Sequence, residues 1–391
     1  MFAARVVRIA LLSAILLSPA PVGAHDPSAF GGLFRSRDGG VTWFPANPGR
    51  IVSGALALAV DPVEPNHLLL ATDSGLLRSR NAGLDWSLQA PSVLVGAVFA
   101  VAFDSDGRGA LASTGTALVR NDGSETWRAI TAPVGTLPAR LLVADGAGRV
   151  YLVGWRRLYA SDDRGTSWQA IASPLAEAPV TDIVVARGSG TVYAIAGNRL
   201  WAMHDRASGW RPVDAGLPQG SIDAVSVDPR EARRLWATAA GQVFRSDDGA
   251  TTWRPWGRPI EDARVSVRGV AVSGRGRDAV LTTDRGVYRS ADGTGWEMPG
   301  ESLPAHLEAW PLVRDPSDPD TLYAGFALVP YSELWRLAVE RSAARAHPKG
   351  LVPGVTVFAL VGLAVVAAVG WLRRYDHGRR PRATTTRDGL K

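Results

Sequence analysis

Short runs of alternating hydrophobic and polar residues follow one another along most of the chain, separated by turns rich in Asp, Ser, Gly and Pro. Residues 242–245 (QVFR) are one such run, and residues 246–249 (SDDG) are the turn that follows it. A period of two is typical of a β-strand. Asp and Ser favour turns because their short side chains bond nearby backbone N–H groups, and Gly tolerates positive φ. The pattern therefore predicts a series of β-hairpins.

A tryptophan ends each of seven such hairpins. Each segment contains a strand, a polar turn and a final Trp, as in residues 32–43 (GLFRSRDGGVTW). The seven residues are Trp43, Trp86, Trp127, Trp168, Trp210, Trp253 and Trp296. They lie 43, 41, 41, 42, 43 and 43 residues apart. Spacing this regular indicates a tandem repeat, in which each unit packs on its neighbours.

Two further strands are predicted between consecutive hairpins. An apolar run, a turn that begins with Asp-Pro and a second apolar run recur, as in 54–60, 61–65 (DPVEP) and 67–71. The turns at 228–232 and 315–319 have the same surroundings. Four short strands at a period of about 40–50 residues are typical of a propeller blade. The fold class predicted is all-β, a seven-bladed β-propeller with four-stranded blades, plus one C-terminal transmembrane helix.

The order of the strands predicts how the ring closes. The first hairpin, at 32–43, has no inner strand pair before it, and the inner pair at 312–324 has no hairpin after it. The two ends of the chain would therefore complete the seventh blade together. Two segments are candidates for its third strand, 33–35 (LFR) and 334–337 (LWRL).

The turn of the hairpin has a recognisable sequence. Residues 36–43 read S-x-D-x-G-x-T-W, and residues 161–168 match with Ser in place of Thr. The motif resembles the Asp-box, or BNR, repeat, and the resemblance extends over about residues 31–340. It implies that the motif residues stabilise the blade periphery and are structural. Those residues are Ser36, Asp38, Gly40, Trp43, Trp86, Trp127, Ser161, Asp163, Gly165, Trp168, Trp210, Ser246, Asp248, Trp253 and Trp296.

The resemblance implies a choice of functions. Asp-box propellers include sialidases, other glycoside hydrolases, sortilin-type luminal domains and photosystem II assembly and stability factors. The sialidase F/Y-R-I-P motif is not matched, because residues 34–37 read FRSR. We therefore assign no catalytic residue and no cofactor. A hydrolase that uses two carboxylates remains an alternative, and its candidate acids lie on loops between blades: Asp223, Glu261, Asp262 and Glu308.

The N-terminus predicts export. Arg5 and Arg8 precede a short apolar run at 9–17, and residues 22–24 (VGA) form a small-residue cleavage pattern. These features are typical of a secretory signal peptide at 1–24. The apolar run is short for a membrane span, and an uncleaved anchor is the alternative.

The C-terminus predicts a membrane anchor. Residues 351–372 are 22 uncharged, mainly apolar residues, which as a helix at 1.5 Å per residue reach about 33 Å and cross a hydrocarbon core. A basic tail at 373–391 follows, as on the cytoplasmic side of a span. We expect the propeller at 25–340 on the outer side of the membrane and a linker at 341–350. The Arg- and Ala-rich composition favours a bacterial periplasm.

The net charge of +6 belongs to the ends of the chain. Residues 1–24 contribute +2 and residues 373–391 contribute +5, so the rest of the chain carries −1. A nearly neutral body is a poor surface for the phosphate backbone of nucleic acid. The chain also contains no Cys, which excludes disulfides, thiolate metal sites and Cys nucleophiles.

Loop aromatic and basic residues are the candidates for binding a partner, because Trp and Arg are frequent anchors of protein interfaces. They are Trp155, Trp256, Arg264, Arg268 and Trp310. A basic patch of Arg140, Arg264 and Arg268 at the mouth of the propeller is a related possibility.

The sequence favours a membrane-anchored exported propeller that acts as a protein-binding scaffold or assembly factor. Its partner would be another membrane or exported protein, since tethering raises the local concentration of such a partner. The alternatives are a glycoside hydrolase and a copper-handling accessory protein. The last uses His25, which cleavage after Ala24 would leave at the mature N-terminus, while His67, His204 and His306 are isolated in the sequence.

Overall fold

The computed structural model describes residues 31–346 apart from 156, 172–177, 206–207, 263, 274–277 and 301. The predicted signal peptide, His25, the predicted transmembrane segment at 351–372 and the basic tail lie outside the described residues. Among the residues that are described, no helix has the length and apolar character that a membrane crossing requires.

The described residues form seven antiparallel sheets, each of which is one blade. The first two strands are β1 (Gly32–Ser36) and β2 (Phe44–Pro45). Blade 1 holds β3 (Ala55–Val60), β4 (Leu68–Thr72), β5 (Gly75–Ser79) and β6 (Ser87–Leu88). Blade 2 holds β7 (Val98–Phe103), β8 (Ala110–Thr114), β9 (Leu118–Asn121) and β10 (Arg128–Ile130). Blade 3 holds β11 (Leu141–Ala144), β12 (Val150–Val153), β13 (Leu158–Ser161) and β14 (Gln169–Ala170).

The remaining blades continue in chain order. Blade 4 holds β15 (Val180–Val185), β16 (Val192–Ala196), β17 (Arg199–Met203) and β18 (Arg211–Pro212). Blade 5 holds β19 (Ile222–Val227), β20 (Leu235–Ala239), β21 (Gln242–Ser246) and β22 (Arg254–Trp256). Blade 6 holds β23 (Val267–Val272), β24 (Ala279–Thr283) and β25 (Gly286–Ser290). Blade 7 joins β26 (Glu308–Arg314) and β27 (Leu322–Ala327) to β1 and β2, and helix α1 (Tyr331–Ala346) follows β27.

The first strand of each blade lines a central channel. Strand β3 contacts β7, and the contacts continue through β11, β15, β19 and β23 to β26, which contacts β3 again. The starts of these strands lie together at one end of the channel and their ends lie together at the other, so all seven run in the same direction. The closed ring confirms the predicted seven-bladed all-β propeller.

Blade 7 is built from both ends of the described chain. Strand β1 pairs with β27 over five residues, from Gly32 opposite Phe326 to Ser36 opposite Leu322. The third strand is therefore the segment that contains residues 33–35. The competing segment, 334–337, is helical, because the apolar residues of the longer stretch at 331, 334, 335, 338 and 339 recur at helical spacing.

Blade 6 departs from the four-strand pattern. Its fourth strand is reduced to a single bridge between Arg289 and Glu297. Pro299 follows two residues later and has no N–H to donate to the ladder. The other six blades have four strands each.

The hydrophobic core lies between blades. Seven clusters of buried residues each join two neighbouring blades around the ring. Each cluster contains one repeat Trp, and five of these seven side chains are at most 9% exposed. Trp86 Nε1 donates to the Ala46 carbonyl 2.8 Å away, and Trp253 Nε1 donates to the Val213 carbonyl at 2.8 Å. A residue at the end of each hairpin thus also contributes to the contact between blades.

The Ser-x-Asp turns share one hydrogen-bond network. In the turn at 161–167, the Ser161 hydroxyl donates to Asp163 Oδ1 at 2.7 Å and accepts from Gly165 N at 2.7 Å. Asp163 also accepts from the backbone N–H and the hydroxyl of Ser167, at 2.8 and 2.6 Å. These donors hold the pKa of Asp163 at about 2. The turns at 36–42 and 246–252 have the same contacts.

Candidate binding site at the mouth of the channel

The start of helix α1 covers part of one end of the channel, the end where the inner strands begin. The Tyr331 hydroxyl donates to the Arg140 carbonyl at 2.7 Å, and Trp335 Nε1 donates to the Pro138 carbonyl at 3.1 Å. Both side chains are buried against Leu56 and Phe99 of blades 1 and 2. We call this end of the channel the mouth.

Each blade contributes one residue at the same repeat position of the mouth, from the start of its inner strand or, in blade 3, from the residue just before it. In six of the seven blades a β-bulge or register shift lies at this position. A bulge turns a side chain away from the regular alternation and is frequent beside functional sites. The seven residues, which we call the mouth ring, are Leu56, Phe99, Arg140, Thr181, Asp223, Arg268 and Trp310.

The mouth ring has an apolar half and a polar half. Leu56 and Phe99 lie under helix α1. The other five members line a cavity of about 200 Å³, together with Asp182, Asn198, Glu308, Tyr331 and Ser332. The helix therefore covers the apolar members and leaves the polar members open.

Two arginines in the cavity have different surroundings. Arg268 Nε donates to Glu308 Oε1 at 2.9 Å and its Nη1 donates to Ser266 Oγ at 2.9 Å, so this cation is paired. The Arg140 guanidinium lies over the Trp335 ring, 5.2 Å from the centroid. Within the described part of the chain it has no ion-pair partner, so it is available to an incoming group.

Glu308 links the mouth to the helix. Its Oε2 accepts a 2.7 Å hydrogen bond from the backbone N–H of Tyr331, the first residue of α1. A carboxylate at this end of a helix is favourable because the first N–H groups are unpaired and the dipole is positive there. Both oxygens of Glu308 thus have structural partners.

Asp182 is a second carboxylate with structural partners. Its Oδ1 accepts from Ile183 N at 2.8 Å, and its Oδ2 accepts from Val225 N of the neighbouring blade at 3.3 Å. Burial raises the pKa of Asp182 to about 6, although these bonds and Arg140 oppose the shift.

Asp223 is the carboxylate of the mouth that remains available. Burial raises its pKa to about 6, and the charge of Arg268 opposes the shift. None of the described residues donates a hydrogen bond to it. Asp223 therefore presents a desolvated acceptor to whatever enters the cavity.

The structure separates the five residues predicted to bind a partner. Arg268 and Trp310 line the cavity. Trp155 lies beside the mouth, 40% exposed, and stacks on Trp335 with ring centroids 5.2 Å apart. Trp256 lies between Trp236 and Trp296 in the core of blades 5 and 6, and Arg264 pairs with Asp262 at 3.2 Å outside the cavity. The predicted basic patch thus contains Arg140 and Arg268 without Arg264.

The four acids proposed for a hydrolase also separate. Asp223 and Glu308 line the cavity, while Glu261 and Asp262 do not. Asp182 was missed by sequence reasoning, although it follows Thr181, a member of the mouth ring. An alignment of the starts of the inner strands in the sequence would have placed Asp182 next to the residues of the mouth. Among the described residues no group of three His, Cys, Asp or Glu side chains is placed to hold a metal ion.

Comparison with known proteins gives the fold alone. No protein-family model matches the chain, and no curated protein matches it. A GH74 enzyme from Niastella koreensis is similar in structure, with a TM-score of 0.59, 18% identity and coverage of 73% of this chain and 53% of that one. The GH74 xyloglucanase from Xanthomonas campestris has a TM-score of 0.55 and 21% identity, with 74% and 55% coverage. The chain thus spans about half the length of these two enzymes.

A third similar structure is YCF48 bound to a D1 peptide. Its TM-score is 0.54 at 17% identity, and the match covers 72% of this chain and 94% of YCF48. These similarities place the chain in the class of seven-bladed β-propellers. Because enzymes and a peptide-bound protein share the fold, the function must be argued from the site.

Proposed function

We propose that the chain is a membrane-anchored, exported propeller that binds a protein partner at its mouth. The observation that carries the proposal is the open half of the mouth ring, where Arg140, Asp223 and Trp310 meet in one cavity. A charged group and an aromatic ring in a concave, partly desolvated site are typical anchors of protein interfaces.

The size of the cavity supports a protein partner. A volume of about 200 Å³ is below the range of about 300–1,000 Å³ that is usual for small-molecule sites. It suits one or two side chains of a polypeptide that rests on the rim. The membrane segment at 351–372, predicted from sequence, would keep the mouth near membrane or exported partners.

The carboxylates favour binding over hydrolysis. Glycoside hydrolysis needs two carboxyl groups that both act on the substrate. In the mouth, Glu308 and Asp182 use both their oxygens in structural hydrogen bonds, which leaves Asp223. A hydrolase remains the second candidate because Asp182 and Asp223 both have pKa values raised to about 6, as an acid catalyst requires.

A crosslinked pull-down of the full chain from native membranes tests the proposal. We expect one partner in stoichiometric amount with the wild type, and a loss of at least about tenfold with Arg140→Glu because the charge of the half-buried, unpaired cation of the mouth is reversed. Arg264→Glu is the matched control, since Arg264 is exposed outside the cavity. Equal recovery with both variants would contradict the proposal. Hydrolysis of xyloglucan by the wild type that Asp223→Asn abolishes would establish the second candidate.

A further inference from the structure

A second cleft lies away from the mouth, between blades 1 and 2. It has a volume of about 590 Å³ and is lined by the turns after β3 and β7, the end of β5 and the turn after β9. Three arginines, Arg78, Arg80 and Arg108, line it together with His67.

Arg78 is a buried cation with unsatisfied donors. Its side chain is 5% exposed, and its Nε has no hydrogen-bond partner among the described residues. The nearest carboxylate, Glu125, is 3.6 Å from Nη1, which is beyond hydrogen-bond distance, and is itself 77% exposed. Burial lowers the pKa of Arg78. A buried guanidinium in this state is costly unless an anion meets it.

Blade 2 shows what usually satisfies this position. Arg120 occupies the same place in β9 that Arg78 occupies in β5, one residue before the strand ends. Arg120 pairs with Asp104 at 2.6 Å and with Asp122 at 2.5 Å. In blade 1 the residue equivalent to Asp104 is Asp61, which bonds His67 Nδ1 at 3.0 Å instead, and Arg80 replaces the second Asp. In blade 1 the first carboxylate is therefore bonded to His67 and the second is replaced by a cation, so neither position pairs with Arg78.

The acids that line the cleft have other partners. Asp122 pairs with Arg120 and Arg128, Asp106 pairs with Arg164 at 2.9 Å, and Asp61 bonds His67. Glu64 is exposed at the rim. Glu125 lies 3.6 Å from Arg78 and 3.8 Å from Arg80 but is 77% exposed, and an ion pair with so exposed a carboxylate is weak. The acids that line the cleft thus leave Arg78 without a hydrogen-bonded anion.

His67 adds a second unsatisfied atom. Because Nδ1 faces the carboxylate of Asp61, it carries the proton, and Nε2 is left as a buried acceptor without a partner among the described residues. Burial lowers the pKa of His67 and favours this neutral form. The cleft thus offers cationic donors beside one neutral acceptor.

We propose that this cleft binds a phosphate group, as inorganic phosphate or a phosphomonoester. The phosphate oxygens accept from Arg78, Arg80 and Arg108, which is the pairing that guanidinium groups favour. A protonated phosphate oxygen donates to His67 Nε2. Sulfate has the same shape but no proton to donate near neutral pH, so the site should prefer phosphate.

Calorimetric titration of the purified full chain with inorganic phosphate, at constant ionic strength, tests the proposal. We expect saturable binding that Arg78→Met weakens at least about tenfold. Arg245→Met is the matched control, since Arg245 has the same place in blade 5 and pairs there with Asp247 at 2.7 Å. We expect this variant to bind phosphate as the wild type does.

Further arms of the titration distinguish the ligands. Sulfate should bind at least about tenfold more weakly than phosphate, and glycerol 3-phosphate shows whether a phosphomonoester is accepted as well as the free ion. The double variant Arg80→Gln/Arg108→Gln changes only residues at the edge of the cleft. It should also weaken phosphate binding, and it serves as the test if Arg78→Met fails to fold. No phosphate binding by the wild type, unchanged binding by both variants, or equal binding of sulfate would overturn the proposal.

Discussion

At the scale of residues, the mouth contains one carboxylate whose charged form is destabilised by burial and another that is held by hydrogen bonds. Asp223 has a raised pKa and no donor among the described residues, whereas Glu308 is held by Arg268 and by the start of α1. Such a contrast between neighbouring carboxylates is typical of sites that await a ligand.

Asp223 should make the fold less stable above its pKa. Its pKa is about 6 in the folded chain and about 3.9 when unfolded, so the folded state binds the proton more tightly. The penalty is absent below about pH 4 and fully present above about pH 6. We expect Asp223→Asn to raise the free energy of unfolding at pH 7.5 by about 1 kcal/mol or more, and to change it little at pH 4.

Chemical denaturation of both proteins at the two pH values measures this effect. Asp262→Asn is the control, because Asp262 is bonded by Arg264 at the surface and its pKa is lowered. A stabilisation by Asp223→Asn that is equal at pH 4 and pH 7.5 would contradict the assignment.

Ser161 should support its turn from a buried position. The hydroxyl is 1% exposed and accepts from Gly165 N at 2.7 Å. Ser161→Ala leaves that buried N–H unpaired, and we expect a loss of about 1–3 kcal/mol. Ser167→Ala, at the exposed end of the same network, should cost less. Thermal unfolding measures the stability of the two variants. Equal losses of stability would contradict the claim that the buried Ser161 hydroxyl stabilises the turn more than Ser167 does.

The residue types of the mouth could be predicted from the sequence better than their positions. Trp310 and Arg268 line the cavity, but hydrophobicity does not separate a rim Trp from a core Trp, so the sequence groups Trp256 with them. Asp182 was missed because strict alternation places it with Val180, and the bulge between them interrupts that register.

At the scale of elements, helix α1 is the part of the fold that decides which half of the mouth is open. Tyr331 and Trp335 are buried, and Leu334, Ala338 and Val339 are partly buried. These five positions recur at intervals of three, one, three and one, which is one face of a helix. The short segment 334–337 by itself suits a strand or a helix, and the longer period was needed to separate them.

Trp335 should anchor the helix at the mouth. It is 4% exposed, stacks on Trp155 and lies under Arg140. We expect Trp335→Ala to lose about 3–5 kcal/mol of local stability, seen as faster amide hydrogen exchange in α1 and around Phe99. Leu328→Ala, at a side chain 47% exposed just before the helix, is the control. Unchanged exchange in Trp335→Ala would show that the helix is held by other contacts.

Equivalent arginines in blades 1 and 2 should respond in opposite ways to removal. Arg120→Met leaves Asp104, 4% exposed, without its hydrogen-bonded partner, with only Arg164 4.0 Å away, and we expect a loss of about 3–5 kcal/mol. Arg78→Met removes a buried cation whose only ion-pair partner among the described residues is the exposed Glu125, 3.6 Å away, and should leave stability unchanged or higher in phosphate-free buffer. Denaturation of the two variants side by side checks this, and a comparable loss in both would argue against an unsatisfied Arg78.

At the scale of the whole molecule, one blade holds the ring closed. Strand β1 pairs with β27 across almost the full described chain, and Phe34 packs edge-on against Phe326 with centroids 5.3 Å apart. The Trp spacing was sufficient to predict seven blades, because every repeat Trp fills the same kind of contact between neighbours. The missing fourth strand of blade 6 was not predicted, since Trp296 is present there as elsewhere.

Phe34 should therefore stabilise the entire ring. We expect Phe34→Ala to lower the free energy of unfolding by about 3–5 kcal/mol, with one cooperative transition in both proteins. Phe44→Ala, at a side chain 64% exposed in the neighbouring strand, should change it by less than about 0.5 kcal/mol. A similar loss in the free energy of unfolding for the two variants would contradict the claim that the contact of β1 with β27 stabilises the entire ring.

The central claim is that the mouth, rather than the opposite end of the channel, meets a protein partner. Site-specific photocrosslinking in native membranes tests it, with the crosslinking residue placed at Asn198 in the mouth or at Arg187 at the other end, both of which are exposed. We predict one defined crosslinked protein from position 198, lost when Arg140→Glu is added, and none from position 187. Crosslinks from position 187 alone, or from 198 without dependence on Arg140, would contradict the account.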